Sequence, residues 1–147
     1  MRNSSRSRYA VAALVDLAQS QTRRPVALSD IAQRQDVSVS YLEQVFALLR
    51  QNGFVKSVRG PGGGYLLVRA ANDIRISDVF TALASATSVS ADRDDSEGPR
   101  AGASVANLWA ALDRDMMRFL STITIRQVAD HQIGGARVSL MTAQAAE

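Results

Sequence analysis

The sequence predicts a mainly helical chain with one small β-hairpin, an α+β class in which helices dominate. Three observations support this prediction. Apolar residues recur three and four positions apart in several segments, as on the buried face of a helix. A single glycine-rich run at 60–64 separates two short apolar stretches, which is the pattern of a hairpin. A last amphipathic segment follows a polar one and predicts a long helix near the C-terminus.

The first 35 residues predict two helices. The first helix covers 8–20, where alanine, leucine and valine recur at helical spacing. Pro25 favours extended backbone in the residue before it, and the stretch 26–28 has the composition of a short strand. Ser29 is placed to cap a short second helix, with the carboxylate of Asp30 near the positive end of the helix dipole.

A four-residue turn leads into a third helix, for which Ser38 is the predicted N-cap. Gly53 is expected to end this helix, because glycine readily adopts the left-handed backbone of a helix terminus. Strands at 54–58 and 65–68 follow, and the run 60–64 joins them. Two helices joined by a short turn and followed by a hairpin predict a winged helix-turn-helix. The apolar face of the third helix comprises Tyr41, Leu42, Val45, Phe46, Leu48 and Leu49.

The second half of the chain predicts a fourth helix, a loop and a long terminal helix. Ser77 is the predicted N-cap of the fourth helix. The segment 85–103 is small, polar and acidic, which predicts a flexible loop and ends the winged domain at 1–84. A helix region covers 104–130, and 131–147 is predicted to be a disordered tail. One face of that helix region carries Val105, Leu108, Trp109, Leu112, Met116, Phe119 and Leu120.

Composition excludes several classes of function. With no cysteine, the chain has no disulfide, zinc–thiolate site or thiol catalysis. No segment reaches the roughly 18 continuous apolar residues of a membrane span, and the N-terminus reads as an amphipathic helix, so we expect a cytoplasmic protein without membrane contact. A hydrolase centred on His131, the one histidine, would need a nucleophile elbow and an oxyanion loop. The sequence offers neither, and we predict no enzymatic activity.

The charge is distributed unevenly along the chain. Residues 1–75 carry eleven Lys and Arg against five Asp and Glu, whereas 76–147 carry six against nine. An excess of positive charge suits binding to a polyanion such as double-stranded DNA. Ordinary solvated surface charge is the alternative interpretation.

The glycine run does not match a phosphate-binding loop. A Walker loop requires Lys followed by Ser or Thr after its last glycine, and here Tyr65 and Leu66 follow. A dinucleotide-binding fingerprint requires a third glycine at the position of Tyr65 and then a helix. The run therefore predicts the tip of a hairpin, where missing side chains let the backbone approach a ligand closely.

The winged helix-turn-helix prediction identifies candidate DNA contacts. Glu43 can accept a hydrogen bond from a cytosine amino group, and Gln44 can bridge two edge atoms of adenine. Ser40 can donate to a base or phosphate, and Tyr41 can reach a phosphate while its ring is buried. Arg59 can bind a phosphate or a narrow minor groove. The predicted set is Ser38, Ser40, Tyr41, Glu43, Gln44, Arg59, Gly60, Gly62, Gly63 and Arg2, with Arg6, Arg8 and Lys56 as further phosphate contacts.

The segments "RYAVAALVDLA", "SYLEQ", "RGPGGGYLL" and "NLWAALDRDM" resemble the Rrf family of bacterial transcription regulators, and within it the IscR-like iron–sulfur cluster regulators. The resemblance covers about 1–130. It implies a homodimeric winged-helix protein on a palindromic operator, with the long C-terminal helices of two subunits crossing to form the dimer. It also implies DNA contacts at Ser40, Glu43, Gln44 and Arg59.

The chain departs from this family at the cluster. IscR-like proteins hold an iron–sulfur cluster through three cysteines and a histidine spaced C-x5-C-x5-C-x2-H, with a tryptophan three residues on. Counted back from Trp109, those positions are Ala91, Glu97, Ala103 and Ala106. Thiolate ligation is impossible without cysteine. We therefore predict a regulator that needs neither cluster nor other cofactor and has no metal site.

Three alternatives remain open at this point. The loop 85–103 could sense another ligand, for example a hard cation on Asp92, Asp94, Asp95 and Glu97, although such carboxylates are more often solvated. The apolar face of the long helix could cover the core of its own chain. The protein could also be an interaction module or the heterodimer partner of a cluster-binding paralogue.

Overall fold

The computed structural model describes residues 5–20, 24–87 and 102–132. Its elements confirm a mainly helical fold with one two-stranded antiparallel sheet. In chain order they are α1 (Ser5–Gln19), α2 (Leu28–Gln35), α3 (Val39–Gln51), β1 (Val55–Val58), β2 (Gly64–Leu67), a 3-10 turn (Ala71–Asp73), α4 (Ile76–Thr87), α5 (Ala103–Leu120) and α6 (Ile125–Ala129).

The core lies where α1 packs against α3, α4 and α6. Leu14 of α1, Phe46 of α3 and Leu83 of α4 are buried there. The end of the chain adds to the same core, because Ile123 and Ile125 are also buried. Apolar burial at about 25 cal/mol per Å² is the main term that holds these elements together.

The helix-turn-helix consists of α2, a three-residue turn at 36–38 and α3, so the turn is one residue shorter than predicted. Val37 packs against the core and closes the angle between the helices. Arg34 of α2 forms a two-point ion pair with Asp16 of α1, with nitrogen–oxygen distances of 2.6 and 2.9 Å. This hydrogen bond raises the pKa of the Arg34 guanidinium. The Arg34 side chain is exposed and the Asp16 side chain is half-buried, so the pair aligns α2 on α1 and adds little free energy of its own.

Two predicted N-caps are wrong and two helix-end predictions are confirmed. Helix α2 is preceded by Ala27, which makes no side-chain cap, and Ser29 lies in the first turn. Helix α4 begins at Ile76, where the backbone N–H of Arg75 donates to the Asp78 carboxylate at 3.3 Å, and Ser77 is buried in the first turn.

The ends of α3 are as predicted. Ser38 caps the helix through its Oγ, which accepts a hydrogen bond from the backbone N–H of Tyr41 at 3.1 Å. After the helix, Gly53 has a φ of 75°. The N–H of Phe54 donates to the Leu49 carbonyl at 2.9 Å, which completes a Schellman-type terminus.

We expect Ser38→Ala to lower the free energy of unfolding by about 1 kcal/mol, because the hydrogen bond to the Tyr41 N–H is lost. Urea denaturation followed by circular dichroism measures this change. Ser40→Ala is the matched control, since Ser40 lies exposed in the first turn of the same helix and is not its N-cap. Equal destabilisation by both variants would contradict the capping role.

The predicted loop at 85–103 is shorter than expected at both ends. Residues 85–87 continue α4, and Ala103 already belongs to α5. The rest of the predicted loop, 88–101, and the predicted tail from 133 onwards lie outside the described residues. The predicted helix region 104–130 consists of two helices, α5 and α6, and α6 begins with a reciprocal capping box between Thr124 and Gln127.

Candidate nucleic-acid interface

The N-terminal end of α3 projects from the core with its polar side chains outward. Leu42, Val45 and Phe46 are buried and fix one face of the helix against the core. Because residues three and four apart share a helix face, this leaves the predicted base-reading residues on the opposite side. The exposed residues here are Ser38, Val39, Ser40, Glu43 and Gln44. The structure therefore brings four of the predicted contacts together on one exposed surface.

Tyr41 joins α3 to the start of α1. Its ring is half-buried and packs edge-to-face on Tyr9, with ring centroids 5.4 Å apart. Burial raises the pKa of the Tyr41 hydroxyl, and the positive charge of Arg6 opposes that shift. The hydroxyl is thus a neutral hydrogen-bond donor at physiological pH, with a cation from α1 near it. Tyr9 was missed by sequence reasoning, since no local pattern indicates that it supports α3.

The wing is the hairpin formed by β1 and β2. Its register pairs Val55 with Leu67 and Val58 with Gly64. The tip, 59–63, is closed by a hydrogen bond of 2.9 Å from the Gly63 N–H to the Gly60 carbonyl. Arg59 directly follows β1 and is exposed. The tip therefore presents one guanidinium beside a backbone that carries few side chains.

The tip glycines differ in what they contribute. Gly60 and Gly62 have φ values of 101° and 73°, in the region that favours glycine, and a Cβ at either would point into open space. At Gly63 a Cβ would collide with the Val58 and Gly60 carbonyl oxygens, and at Gly64 with the Val26 carbonyl oxygen. The first two are thus free to approach a ligand, whereas the other two are required for the hairpin to close.

Val26 anchors the wing to the body. Its N–H donates to the Tyr65 carbonyl at 3.0 Å, and its carbonyl accepts from the Tyr65 N–H at 2.9 Å. The predicted strand at 26–28 is therefore limited to a single bridge residue. The Tyr65 ring packs on Phe46, with centroids 4.6 Å apart, so the wing is held directly against α3.

We expect Gly64→Ala to destabilise the protein by about 1–3 kcal/mol, because the new methyl group forces β2 away from Val26. Thermal denaturation measures the effect. Gly102→Ala is the control, since nothing lies within 4 Å of its Cβ position. If the two variants melted alike, the close approach of β2 to Val26 would be irrelevant to stability.

The apolar face of α5 is largely uncovered in the single chain. Leu108 is 59% exposed, Phe119 51%, Trp109 49% and Leu112 42%. Val105 is exposed as well, and Met116 is half-buried. Leu120 differs from the prediction, because it packs with Met117 against the core of its own chain. The exposed members of this face form the α5 stripe, which consists of Val105, Leu108, Trp109, Leu112 and Phe119.

The residues present do not fit an iron–sulfur cluster. The chain has no cysteine to supply thiolates. Ala103 and Ala106 lie exposed in the first turn of α5, while positions 91 and 97 lie outside the described residues. Within 5–20, 24–87 and 102–132 no three His, Asp or Glu side chains are grouped to hold a metal ion. His131 is exposed after α6.

Of the other predicted phosphate contacts, Lys56 and Arg8 are exposed and Arg6 is half-buried near Tyr41. Arg2 and the acidic residues 92–97 lie outside the described residues. None of the helices in the described part of the chain is long and apolar enough to cross a membrane.

Comparison with known proteins identifies the family. The model of the Rrf2 family, described as an iron-dependent transcriptional regulator, matches residues 3–131. The HTH-type transcriptional regulator IscR of Klebsiella pneumoniae (strain 342) is 43% identical over 135 residues, which cover 90% of this chain and 82% of that protein. Among solved structures, IscR of T. potens is 34% identical with a TM-score of 0.68, covering 87% of this chain and 86% of that one.

CymR of Staphylococcus aureus superposes with a TM-score of 0.68 at 28% identity, covering 86% of this chain and 96% of that one. These matches confirm the predicted family resemblance, and a family of regulators agrees with the prediction that the protein is not an enzyme. The chain belongs to the Rrf2 family and is a DNA-binding transcriptional regulator.

Proposed function

We propose that the protein binds a palindromic operator as a homodimer and does so without an iron–sulfur cluster. The observation that carries this proposal is the combination of an exposed, polar α3 N-terminus and a wing with Arg59 at its tip. A recognition helix of this kind enters the major groove, and an arginine on a wing suits a phosphate or a narrow minor groove.

Each predicted contact has a role in this proposal. Glu43 and Gln44 read base edges from α3, and Ser40 donates to a base or a phosphate. Ser38 contributes mainly as the cap that holds the end of α3 in place. Tyr41 donates its hydroxyl to a phosphate, supported by Tyr9. Gly60, Gly62 and Gly63 allow close backbone approach, and Arg2 adds a phosphate contact.

The proposed division of the chain follows from these roles. Residues 1–84 bind DNA, 104–130 carry the dimer contacts, and the segment between α4 and α5 lacks the cysteine ligands of a family sensor. The α5 stripe supports a two-fold interface, because exposed large apolar side chains in a row are typical of association surfaces. A cytoplasmic location follows from the proposed action on chromosomal DNA.

Gel-shift titration of the purified protein against genomic fragments over a salt series tests the proposal. We expect binding that weakens steeply as salt rises, because phosphate contacts release counterions. Visible absorption and metal analysis of the same preparation are expected to show no cluster. A brown, iron-containing protein would refute cluster independence, and the absence of any salt-sensitive shift would refute operator binding.

A second candidate function rests on the same α5 stripe. A related chain with a similar helix could dock there, which would make the protein a heterodimer partner of a cluster-binding paralogue. Copurification with such a paralogue, together with no operator binding by the protein alone, would select this function over the first.

We expect Glu43→Ala to relax base preference at one position of each half-site, since a carboxylate accepts only from a donor such as the cytosine amino group. Discrimination there should fall by about 1–3 kcal/mol. Binding-site selection from a random DNA library measures this base preference for the variant and the unmodified protein in parallel. Unchanged preference at every position would show that Glu43 reads no base.

A further inference from the structure

A groove at the base of the wing is lined by four cationic side chains. It has a volume of about 810 Å³ and lies between the end of α1, strand β2 and helix α6. No aspartate or glutamate is among the described residues that line it. The cations, which define the basic groove, are Arg24, Lys56, Arg69 and Arg126.

Apolar side chains also line the groove, together with Ser20 and Tyr65. Leu17, Val26 and Ala71 line the groove and are themselves buried, while Leu66 and Leu67 form a half-buried side. A small inorganic anion would contact the cations and leave this apolar surface in water. An organic anion would satisfy both, with its charged group at the cations and its apolar body on the leucine and valine side chains.

The cations are only partly neutralised by the protein itself. Arg126 lies 3.7 Å from the Asp130 carboxylate, and the Arg69 guanidinium lies 5.0 Å above the Phe54 ring. Arg24 also borders a second groove that contains Asp16 and Asp30, of which Asp16 is engaged by Arg34. Within the described part of the chain, Lys56 has no ion-pair partner. The groove therefore keeps an excess of positive charge.

Apart from Lys56, which is also a predicted phosphate contact, the basic groove uses none of the residues predicted to contact DNA. Leu17 lines the groove, whereas Tyr9 supports the recognition helix through Tyr41. Leu17 lies eight positions after Tyr9, which corresponds to about 12 Å along the axis of α1. Leu67 of the groove pairs with Val55, at the end of the hairpin away from Arg59. A duplex seated on α3 and the wing tip thus leaves the apolar walls of the groove unused.

We propose that the basic groove binds an amphipathic organic anion, a carboxylate or phosphate attached to an apolar body. The site is built from three parts of the fold, since Arg24 precedes Val26, Lys56 lies on β1 and Arg126 lies on α6. It does not use the residues proposed to contact DNA bases, so it goes beyond the proposed function and is testable without an operator.

Isothermal titration calorimetry of the full chain with three probes tests the site. Octanoate carries both features of the ligand, n-octanol has the apolar body without the charge, and acetate has the charge without the body. We expect saturable octanoate binding, with octanol and acetate weaker by about tenfold or more because each lacks half of the contacts. Octanol binding as tight as octanoate would overturn the role of the cations.

Two matched double variants locate the binding. Arg24→Ala with Lys56→Ala is expected to weaken octanoate by about tenfold or more, since charge-assisted hydrogen bonds are lost. Arg50→Ala with Arg118→Ala removes the same charge from exposed positions outside the groove and is expected to leave octanoate affinity unchanged. Thermal denaturation checks that both fold.

Equal octanoate binding by the two double variants would overturn the proposal. So would a result in which the unmodified protein binds no octanoate and the Arg24/Lys56 variant loses affinity for a DNA duplex. That outcome would assign the groove to the DNA backbone instead. If the unmodified protein bound octanoate but no operator DNA, the proposed function would be contradicted and this site would still be supported.

Discussion

Leu108→Asp is expected to leave the protein monomeric at concentrations at which the unmodified chain is dimeric. Leu108 is the most exposed large apolar side chain of the α5 stripe. If the stripe forms a two-fold interface, the variant places a carboxylate in an apolar contact without a partner. An uncompensated buried charge costs about 3–5 kcal/mol, which corresponds to a dissociation constant raised by a hundredfold or more.

Light scattering coupled to size-exclusion chromatography measures the change over a dilution series. Asn107→Asp is the matched control, because it adds the same charge one residue earlier on an exposed face turned away from the stripe. Both substitutions lie near the start of α5, so the helix dipole affects them similarly. Dimers of equal stability in the two variants would show that the α5 stripe does not contact a second subunit.

Arg59→Ala is expected to weaken operator binding by about 1–3 kcal/mol, since a desolvated guanidinium–phosphate or minor-groove contact is lost from the wing. The fold should be unaffected, because Arg59 is exposed and follows the last residue of β1. If the contact is to phosphate, the slope of log affinity against log salt should fall by about one for each wing that binds.

Gel-shift or anisotropy titration at several salt concentrations measures both the affinity for the operator and its salt dependence. Arg50→Ala is the control, since Arg50 lies exposed in the last turn of α3, at the end opposite the proposed base contacts. An Arg59 variant with the affinity and salt slope of this control would remove the wing from the DNA interface.

Local sequence signals were sufficient to predict α3 and the wing. Ser38 caps α3 and Gly53 ends it, and both act through backbone groups within a few residues. The glycine run has the same local character, because positive φ values at Gly60 and Gly62 depend on the tip itself. Hydrophobic spacing then placed the buried face of α3 correctly, which left the candidate contacts on the exposed side.

The starts of α2 and α4 could not be predicted this way. Val26 is held extended by its two hydrogen bonds to Tyr65, and α2 begins two residues later. Arg75 is held by a bridge to Thr124, and α4 begins at the next residue. Partners 39 and 49 residues away in the chain thus set both helix starts, so the nearby serines at 29 and 77 gave misleading cap signals.

The sequence by itself determined the helices and hairpin, the family, and the loss of thiolate ligands, because periodicity, turn residues and a cysteine count are properties of the chain alone. Only the tertiary structure decided which side of α5 is exposed, since Leu120 and Met117 are covered by a core that includes distant segments. It also brought Arg24, Lys56 and Arg126 to one groove. Their proximity arises from long-range packing, which no local pattern encodes.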